Sequence, residues 1–395
     1  MRRTVKDLLV EIKDTSELMI DLAYSAVLFD NDDIAEEVIS LEKNMVDYLK
    51  EIRVVSILSV RRVDEAESVS AILQIANAAQ KIGNAAGDIA MLTIKDYKLP
   101  REVINSIIIN SEETVTKAQV TRESEVAGKT LGESKLHTRT GFRVIAIRRG
   151  VEWVYNPGRD TKIMKGDVLF ARGDVTGIPN FFELVVGERK EIGREEPEKE
   201  ITDLDKAVYT IIQMKNMSEL AVDLSYLSIL YDNEEIAHEV IYIENEIDNM
   251  KYQLQHWVLN SSKEFESKVR PLIALLELSY TSEVIADSAR EISEAVAQRM
   301  EIHPIFKEAM KETDEIISIV EVTRDSNLNG RSLGEAKVET NTGMHVIAIK
   351  RDSNWITRPS ANTKMFAGDL LITKGTREGR EILNQIAIPT QQSQQ

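Results

Sequence analysis

The sequence contains two copies of one pattern, separated by a constant offset of 202 residues. Glu17–Leu22 (ELMIDL) recurs as Glu219–Leu224 (ELAVDL), and Val144–Ile147 (VIAI) recurs as Val346–Ile349. An offset that holds from near the first residue to about residue 175 indicates a tandem duplication with almost no insertion. Whatever fold the first copy adopts, the second copy is therefore expected to repeat it.

Each copy changes character near its middle, which predicts two kinds of domain. The first part shows helical periodicity, whereas the second part is shorter, β-rich and punctuated by glycine. Between the copies lies Glu188–Glu200 (ERKEIGREEPEKE), a charged stretch with almost nothing to bury, which indicates a linker. The predicted helical domains are residues 1–117 and 201–317, the predicted α/β modules are residues 118–187 and 318–388, and the linker is residues 188–200.

The first part of each copy has the pattern of amphipathic helices. In copy one, Val5, Leu9 and Ile12 begin an apolar stripe with helical spacing. The stripe stops at Asp30–Asp33, which supplies a helix stop followed by residue types that cap the next helix. A third helix is predicted from about Val63 to Ile94, with small residues along its seam that let helix axes approach. Each copy therefore begins with an antiparallel three-helix bundle.

The second part of each copy has the pattern of a small sheet with short helices. In copy one we predict a strand near Ala118–Thr121, a helical turn from about Thr130 and a closing helix at Phe181–Val186. Three more strands are predicted at the sequences RVIAIRR, EWVY and GDVLFAR. The chain is thus expected to be a multidomain α+β protein, in which two helical bundles alternate with two α/β modules.

Pairs of acidic residues mark the helical part. Glu17 and Asp21 are one turn apart on the first helix, and acids recur on the third helix, although Asn84 stands at one of these positions in copy one. With this pattern the helical part resembles half of a PhoU protein, a family with two three-helix bundles, over roughly residues 1–117 and 201–317. The resemblance implies a di- or trivalent metal ion held by carboxylates of facing helices; the alternative is a solvated helix edge. The candidate metal ligands are Glu17, Asp21 and Asp88 in copy one and Glu219, Asp223, Asp287 and Glu291 in copy two.

The α/β part carries a more specific combination: an IAI strand, a proline loop and a final strand that begins with Gly-Asp, all present in both copies. It resembles the TrkA-C module, also called the carboxy-terminal RCK module, whose family pairs as dimers and regulates potassium channels and transporters by binding ligands. The resemblance implies a site for a small anionic nucleotide between paired modules; the alternative is a surface that serves dimerisation alone. The candidate ligand-binding residues are Arg143, Arg148, Arg149 and Pro157 in copy one and His345, Lys350, Arg351 and Pro359 in copy two.

Composition excludes several classes of protein. The absence of cysteine removes disulfides, thiolate metal sites and cysteine nucleophiles, and the formal net charge of −17 disfavours binding to nucleic acid. No run of 18 apolar residues is present and no catalytic triad or GxGxxG fingerprint is found. The first apolar stretch contains acids, so a secretory signal is not expected. We therefore expect a non-enzymatic cytoplasmic protein that does not insert into the membrane.

Two functions remain open at this point. The first is a ligand-sensing regulator of potassium or other cation transport, associated peripherally with a membrane channel or transporter subunit. The second is a PhoU-like metal-binding regulator of phosphate uptake and signalling. The first depends on the α/β modules and the second on the acid pairs. We also expect the two α/β modules of one chain to pair with each other about a pseudo-two-fold axis, with a homodimer as the alternative.

Overall fold

The computed structural model describes residues 3–100, 103–104, 114–190, 202–262, 269–300, 302–357 and 359–387. The chain divides into two compact units, and each unit contains one part from each copy. The helical unit comprises Met1–Ser111 and Glu196–Thr313, and the α/β unit comprises Glu112–Glu195 and Asp314–Gln395. The predicted alternation of helical bundles and α/β modules is confirmed. The first strands of the two modules begin at Thr114 and Ile316.

The elements of copy one follow the predicted order. Among the described residues, its helical part has three long helices, and its α/β part has four strands and three short α-helices. In chain order they are α1 (Val5–Phe29), α2 (Asp32–Ser59), α3 (Val63–Ile94), β1 (Thr114–Gln119), α4 (Leu131–Ser134), α5 (Leu136–Thr140), β2 (Arg143–Arg149), β3 (Glu152–Tyr155), β4 (Val168–Gly173) and α6 (Ile178–Val186).

Copy two repeats this order, and the described residues of this copy include a short helix before the sheet. The elements are α7 (Asp203–Tyr231), α8 (Glu234–Ser261), α9 (Val269–Ala297), α10 (Pro304–Met310), β5 (Ile316–Glu321), α11 (Leu333–Ala336), α12 (Val338–Thr342), β6 (Met344–Arg351), β7 (Asn354–Thr357), β8 (Leu370–Gly375) and α13 (Arg377–Ala387).

The turns between the first two helices of each bundle follow from local sequence. Asp30 ends α1 in the left-handed conformation, with φ of 45°, and the side chain of Asn31 accepts a hydrogen bond from the amide of Ile34 to cap α2. Asp232 and Asn233 have the same roles between α7 and α8. The acidic, amide-containing turn that the sequence marks as a break is therefore a paired stop and start signal in both copies.

The two bundles pack together within the helical unit. α3 packs against α9, and the tyrosine hydroxyl of Tyr24 in α1 lies 3.2 Å from the Ser282 hydroxyl in α9. Alanines fill much of the buried face of α3, which lets the neighbouring helices approach closely. The core of this unit is therefore shared between the copies and is not confined to either bundle.

Each α/β module is a four-stranded antiparallel sheet covered by helices. The strand orders, β1-β4-β2-β3 and β5-β8-β6-β7, are the same in the two modules. Each sheet also has an irregularity at the same place, between Val144 and Ala146 in β2 and between Val346 and Ala348 in β6. A bulge at one repeat position in both copies bends the same strand in the same way. The modules are therefore close structural copies as well as sequence copies.

Candidate functional site: the interface of the two α/β modules

The two modules of the α/β unit contact each other through equivalent elements. Helix α5 of copy one packs against helix α12 of copy two. In the turn after α12, Gly343 has φ of 71°, and a Cβ atom at this position would lie 3.4 Å from the ring of His137. Pairing of equivalent surfaces is the geometry of a two-fold dimer, here built within a single chain.

Basic side chains from both sheets line a cavity at this interface. Arg143 at the start of β2 lies opposite Arg172 of β4 in the antiparallel register, and His345 of β6 lies opposite Lys374 of β8. All four residues line the same cavity. Directly opposed residues in neighbouring strands have Cβ atoms about 4.5–5.5 Å apart. Each sheet therefore brings two nitrogen-bearing side chains to one place.

Close backbone packing fixes these strands against the turns that precede β2 and β6. A Cβ atom at Gly173, the neighbour of Arg172, would lie 2.3 Å from the carbonyl oxygen of Gly141. At Gly375, the neighbour of Lys374, the same contact would be 2.5 Å. Only glycine allows this approach. The positions of the two cations relative to the turns are thus set by main-chain sterics.

Glu315 connects the two modules through ion pairs. It precedes β5 in the module of copy two, and its carboxylate lies 2.5 Å from Arg143 and 3.0 Å from Arg172, both in copy one. Lys374 of its own module lies 3.8 Å away. The side chains of Glu315 and Arg172 are only 17% and 15% exposed. One carboxylate therefore forms ion pairs with cations of both modules at a site that water reaches poorly.

A second pair lines the same cavity. His345 lies 3.2 Å from the carboxylate of Glu339 in α12. The cavity contains three permanent cations and two carboxylates, so its lining has a net charge of +1 when both histidines are neutral. The space that it encloses is about 20 Å³, enough for roughly one water molecule. A nucleotide needs the modules to separate or rearrange.

The structure separates the predicted ligand residues into two groups. Arg143 and His345 lie at the interface cavity, as described above. Arg149 instead donates two hydrogen bonds of 2.8 Å to the buried carboxylate of Asp167, and Arg351 makes the same two bonds with Asp369. These arginines hold the Gly-Asp loop that leads into the final strand of each module. The remaining predicted residues, which also do not line the interface cavity, are Arg148, Pro157, Lys350 and Pro359.

Sequence reasoning missed Arg172, Lys374 and Glu315. A signal for the first two was present, since Arg172 and Lys374 are basic residues at the same repeat position near the end of an otherwise apolar strand. A charged residue at an inward position of both copies is informative, because burial of a lone charge is costly. No such local signal marks Glu315, whose role depends on the contact between modules.

The predicted metal ligands lie in the helical unit, where most of them have other partners. Lys13 lies 2.8 Å from Glu17, and Lys215 lies 2.7 Å from Glu219, in each case one turn apart on the same helix. Glu291 of α9 pairs with Lys81 of α3 at 2.5 Å. Asp21 and Asp223 are buried residues of α1 and α7. Lys13 and Lys215 therefore offset the charge of Glu17 and Glu219, the first acids of the pairs on α1 and α7.

Asp88 and Asp287, on the third helices, each lie near an acid of the second helix. Burial, together with the nearby carboxylate of Asp88, raises the pKa of Glu42 in α2. In copy two, burial and a hydrogen bond that the protonated carboxyl of Glu244 in α8 donates to Asp287 raise the pKa of Glu244 to about 7. Asp88 and Asp287 therefore lie near acidic side chains of α2 and α8. Within the part of the chain that the structure describes, no group of three or more histidines and acids is arranged to hold a metal ion.

Two buried lysines mark the contact between the helical bundles. The amino group of Lys13 lies 5.5 Å from the ring centre of Tyr226 in the other copy, and that of Lys215 lies 5.2 Å from the ring centre of Tyr24. Lys13 and Lys215 are equivalent in the repeat, as are the two tyrosines. The helical interface is thus reciprocal, with the same cation and ring in both halves.

None of the helices in the described ranges is long and apolar enough to cross a lipid bilayer.

Two domain families match the chain, each of them twice. The PhoU domain family matches residues 9–93 and 211–296. The TrkA-C domain family matches residues 115–186 and 317–386. The matched segments alternate along the chain and follow the division into helical bundles and α/β modules. The two resemblances inferred from the sequence are therefore confirmed.

The chain is also similar to one curated relative and two solved structures. Potassium channel protein 1 of Methanocaldococcus jannaschii is 28% identical over 72 residues, which are 18% of this chain and 22% of that protein. The chain thus spans about a fifth of the length of this relative. The crystal structure of PhoU from Pseudomonas aeruginosa has 11% identity and a TM-score of 0.40, covering 74% of this chain and 93% of that one. The GsuK channel bound to NAD has 13% identity and a TM-score of 0.19, covering 78% and 65%.

Proposed function

Since the chain alternates two PhoU domains with two TrkA-C domains, we propose that it is a ligand-sensing regulator of potassium or other cation transport. Two observations support this proposal: the two TrkA-C domain matches, and a curated relative, 28% identical over 72 residues, that is named a potassium channel protein. The regulated partner is then a membrane channel or transporter subunit, which this chain meets from the cytoplasmic side.

The observation that carries the sensing role is the cationic cavity between the two α/β modules. Arg143, Arg172 and Lys374 converge there in a chain whose formal net charge is −17. Gathering permanent cations at a contact between domains costs free energy unless anions offset their charge. Arginine side chains present a planar fork that suits phosphate and carboxylate oxygens. The ligand class that this lining favours is a small anion with phosphate groups, such as an adenine nucleotide.

Calorimetric titration with ATP, ADP and cyclic di-AMP tests the sensing role. We expect one of them to bind the wild-type chain, and Arg143→Ala or Arg172→Ala to weaken that binding by about 1–3 kcal/mol, since hydrogen bonds to charged groups have this magnitude. Arg189→Ala is the matched control, because Arg189 does not line the cavity and makes an exposed ion pair with Glu183. Absence of binding at millimolar concentrations, or equal binding by all variants, would contradict the sensing role.

Transport itself is tested in the organism that carries the gene. Loss of the gene is expected to change rubidium uptake at limiting potassium, and the Arg143→Ala variant is expected not to restore it. If rubidium uptake is unchanged while phosphate uptake is altered, the PhoU domains set the function, and the chain is a phosphate regulator instead. The two outcomes separate the two functions that the sequence leaves open.

A further inference from the structure

We propose that Glu315 is an internal counter-ion that occupies the cationic cavity between the α/β modules, and that an anionic effector must displace it in order to bind. This inference rests on the proposed sensing function and adds a regulatory step to it. Glu315 lines this cavity and pairs with two of its arginines. The effector then competes with this carboxylate for the same arginines.

The geometry of Glu315 suits such a role. It stands immediately before β5, and the next residue, Ile316, pairs with Gly375 at the end of β8. From this strand end its carboxylate reaches across the interface to Arg143 and Arg172 and remains 3.8 Å from Lys374. Three cations thus surround one carboxylate. A phosphate group offers oxygens of the same charge and hydrogen-bonding type as those of Glu315.

The arrangement has one carboxylate for three cations, so Glu315 does not neutralise the cavity. Glu339 contributes a second negative charge but lies against His345. A net positive charge therefore remains at a site that is largely shielded from water, where Coulomb interactions are stronger than at the surface. An incoming anion with more than one negative charge can outcompete a single carboxylate, whereas a monovalent anion gains little.

Displacement of Glu315 also provides a way to change the structure. Its two ion pairs to Arg143 and Arg172 connect the module of copy two with that of copy one. Breaking them and replacing them by a bound anion changes how the modules are joined, because the new ligand is larger than the cavity of about 20 Å³. A ligand shifts a conformational equilibrium only through contacts that differ between the states. Loss of the Glu315 contacts is such a difference.

The test is a comparison of nucleotide affinity between the wild-type chain and Glu315→Gln, which keeps the size of the side chain but removes its charge. We expect Glu315→Gln to bind ATP or cyclic di-AMP about tenfold more tightly, because the competing carboxylate is gone. Glu378→Gln is the matched control, since Glu378 is an exposed residue of α13 in the same module. It is expected to bind as the wild type does.

The outcomes distinguish this inference from the function on which it rests. If the wild type binds a nucleotide and Glu315→Gln binds it equally or more weakly, Glu315 is not a competitor, although the sensing function stands. If neither binds, both proposals are wrong. Glu315→Asp, with a shorter side chain, should bind with an affinity between those of the other two. Circular dichroism of each variant verifies that its fold is intact, and a weaker affinity in a folded Glu315→Gln contradicts the inference.

Discussion

The two interfaces between the copies differ in whether equivalent positions carry the same residues. In the helical unit the contact is reciprocal, with Lys13 beside Tyr226 and Lys215 beside Tyr24. In the α/β unit the equivalent positions carry different residues: Arg143 corresponds to His345, Arg172 to Lys374 and His137 to Glu339. One interface has kept the same pairs in both halves, and the other has two unlike halves around one cavity.

This difference indicates where structural and functional demands lie. In each half of the helical interface, a buried lysine and its carboxylate need hydrogen-bond or ion-pair partners, and both halves use the same pair of residue types. A cavity with two identical halves would offer a ligand two equivalent orientations. Unlike halves favour one orientation, as specificity requires a difference in free energy between alternatives. The asymmetric interface is therefore the better candidate for ligand recognition.

Removing a buried lysine should have the largest effect on stability. Lys13→Ala leaves Glu17 at the helical interface without its partner at 2.8 Å, where the lysine and glutamate side chains are 3% and 12% exposed. We expect a loss of about 3–5 kcal/mol in the free energy of unfolding, the range found when one member of a buried ion pair is removed. Urea denaturation followed by circular dichroism at 222 nm measures it.

The equivalent variant in copy two sharpens the comparison. Lys215→Ala should cost less, because Lys215 and Glu219 are 10% and 28% exposed and solvent relieves the unpaired carboxylate. Lys50→Ala, in an ion pair that is about 70% exposed, should change the stability by less than about 0.5 kcal/mol. If Lys13→Ala and Lys50→Ala change the free energy of unfolding by the same amount, the reciprocal contact does not stabilise the helical interface.

A second prediction concerns arginines that belong to the modules but not to the interface. Arg149→Ala breaks two hydrogen bonds to Asp167, whose side chain is 1% exposed. We expect a loss of about 2–3 kcal/mol in stability, since a buried charged acceptor loses its partner. Nucleotide affinity is expected to remain unchanged. If stability is unchanged and nucleotide binding is weakened, Arg149 is a ligand-binding residue, as the sequence analysis predicts.

The contrast between Arg143 and Arg149 shows which features can be predicted from the sequence and which cannot. The repeat, the three-helix bundles and the ends of α3 at Val63 and Ile94 were all visible in local patterns, because caps and periodicity are local. The two arginines are equally basic and lie on the same strand, yet one faces the other module and one binds a loop of its own. Only the strand register and the packing of the modules separate them.

The acid pairs show the same limit in the helical unit. Lys13 precedes Glu17 by one turn, so this ion pair was readable from the spacing alone. The contact of Asp287 with Glu244 of the neighbouring helix was not, because it depends on how the helices are rotated about their axes. The sequence pattern therefore grouped Asp287 with Glu219 and Asp223 as candidate metal ligands. In the structure, Asp287 lies near Glu244 of α8.

Glu244 gives a third prediction, in the pH dependence of stability. Burial raises its pKa to about 7 in the folded chain, whereas the unfolded chain ionises near the ordinary value of 4.5. Between these values the unfolded state holds fewer protons, so stability falls as the pH rises and levels off above about 7. Because solvent still reaches this pair, we expect Glu244→Gln to gain only about 1 kcal/mol at pH 8. The measurement is the urea midpoint from pH 4.5 to 8.

The matched variant in copy one tests whether this behaviour belongs to the repeat. The pKa of Glu42 is also raised, by burial and by Asp88. Glu42→Gln should therefore also reduce the fall in stability as the pH rises. A profile that rises with pH in this window, or that neither variant changes, would show that the carboxyl pairs between the second and third helices are fully solvated.

Another small effect is expected from the hydroxyl group of Tyr24, which joins the two bundles. Tyr24 is buried and its hydroxyl lies 3.2 Å from that of Ser282, whereas its ring lies beside Lys215. Tyr24→Phe keeps the ring and removes only the hydroxyl, so the loss should be about 1 kcal/mol, the usual net value of one hydrogen bond. Ser282→Ala removes the other partner, and the double variant should cost less than the sum of the two single changes, since each single change already breaks the same bond. Urea denaturation of the four chains measures this coupling. Additive losses would mean that the two hydroxyl groups do not bond to each other, and that the ring of Tyr24, packed beside the Lys215 amino group, is the part of this side chain that holds the reciprocal interface together.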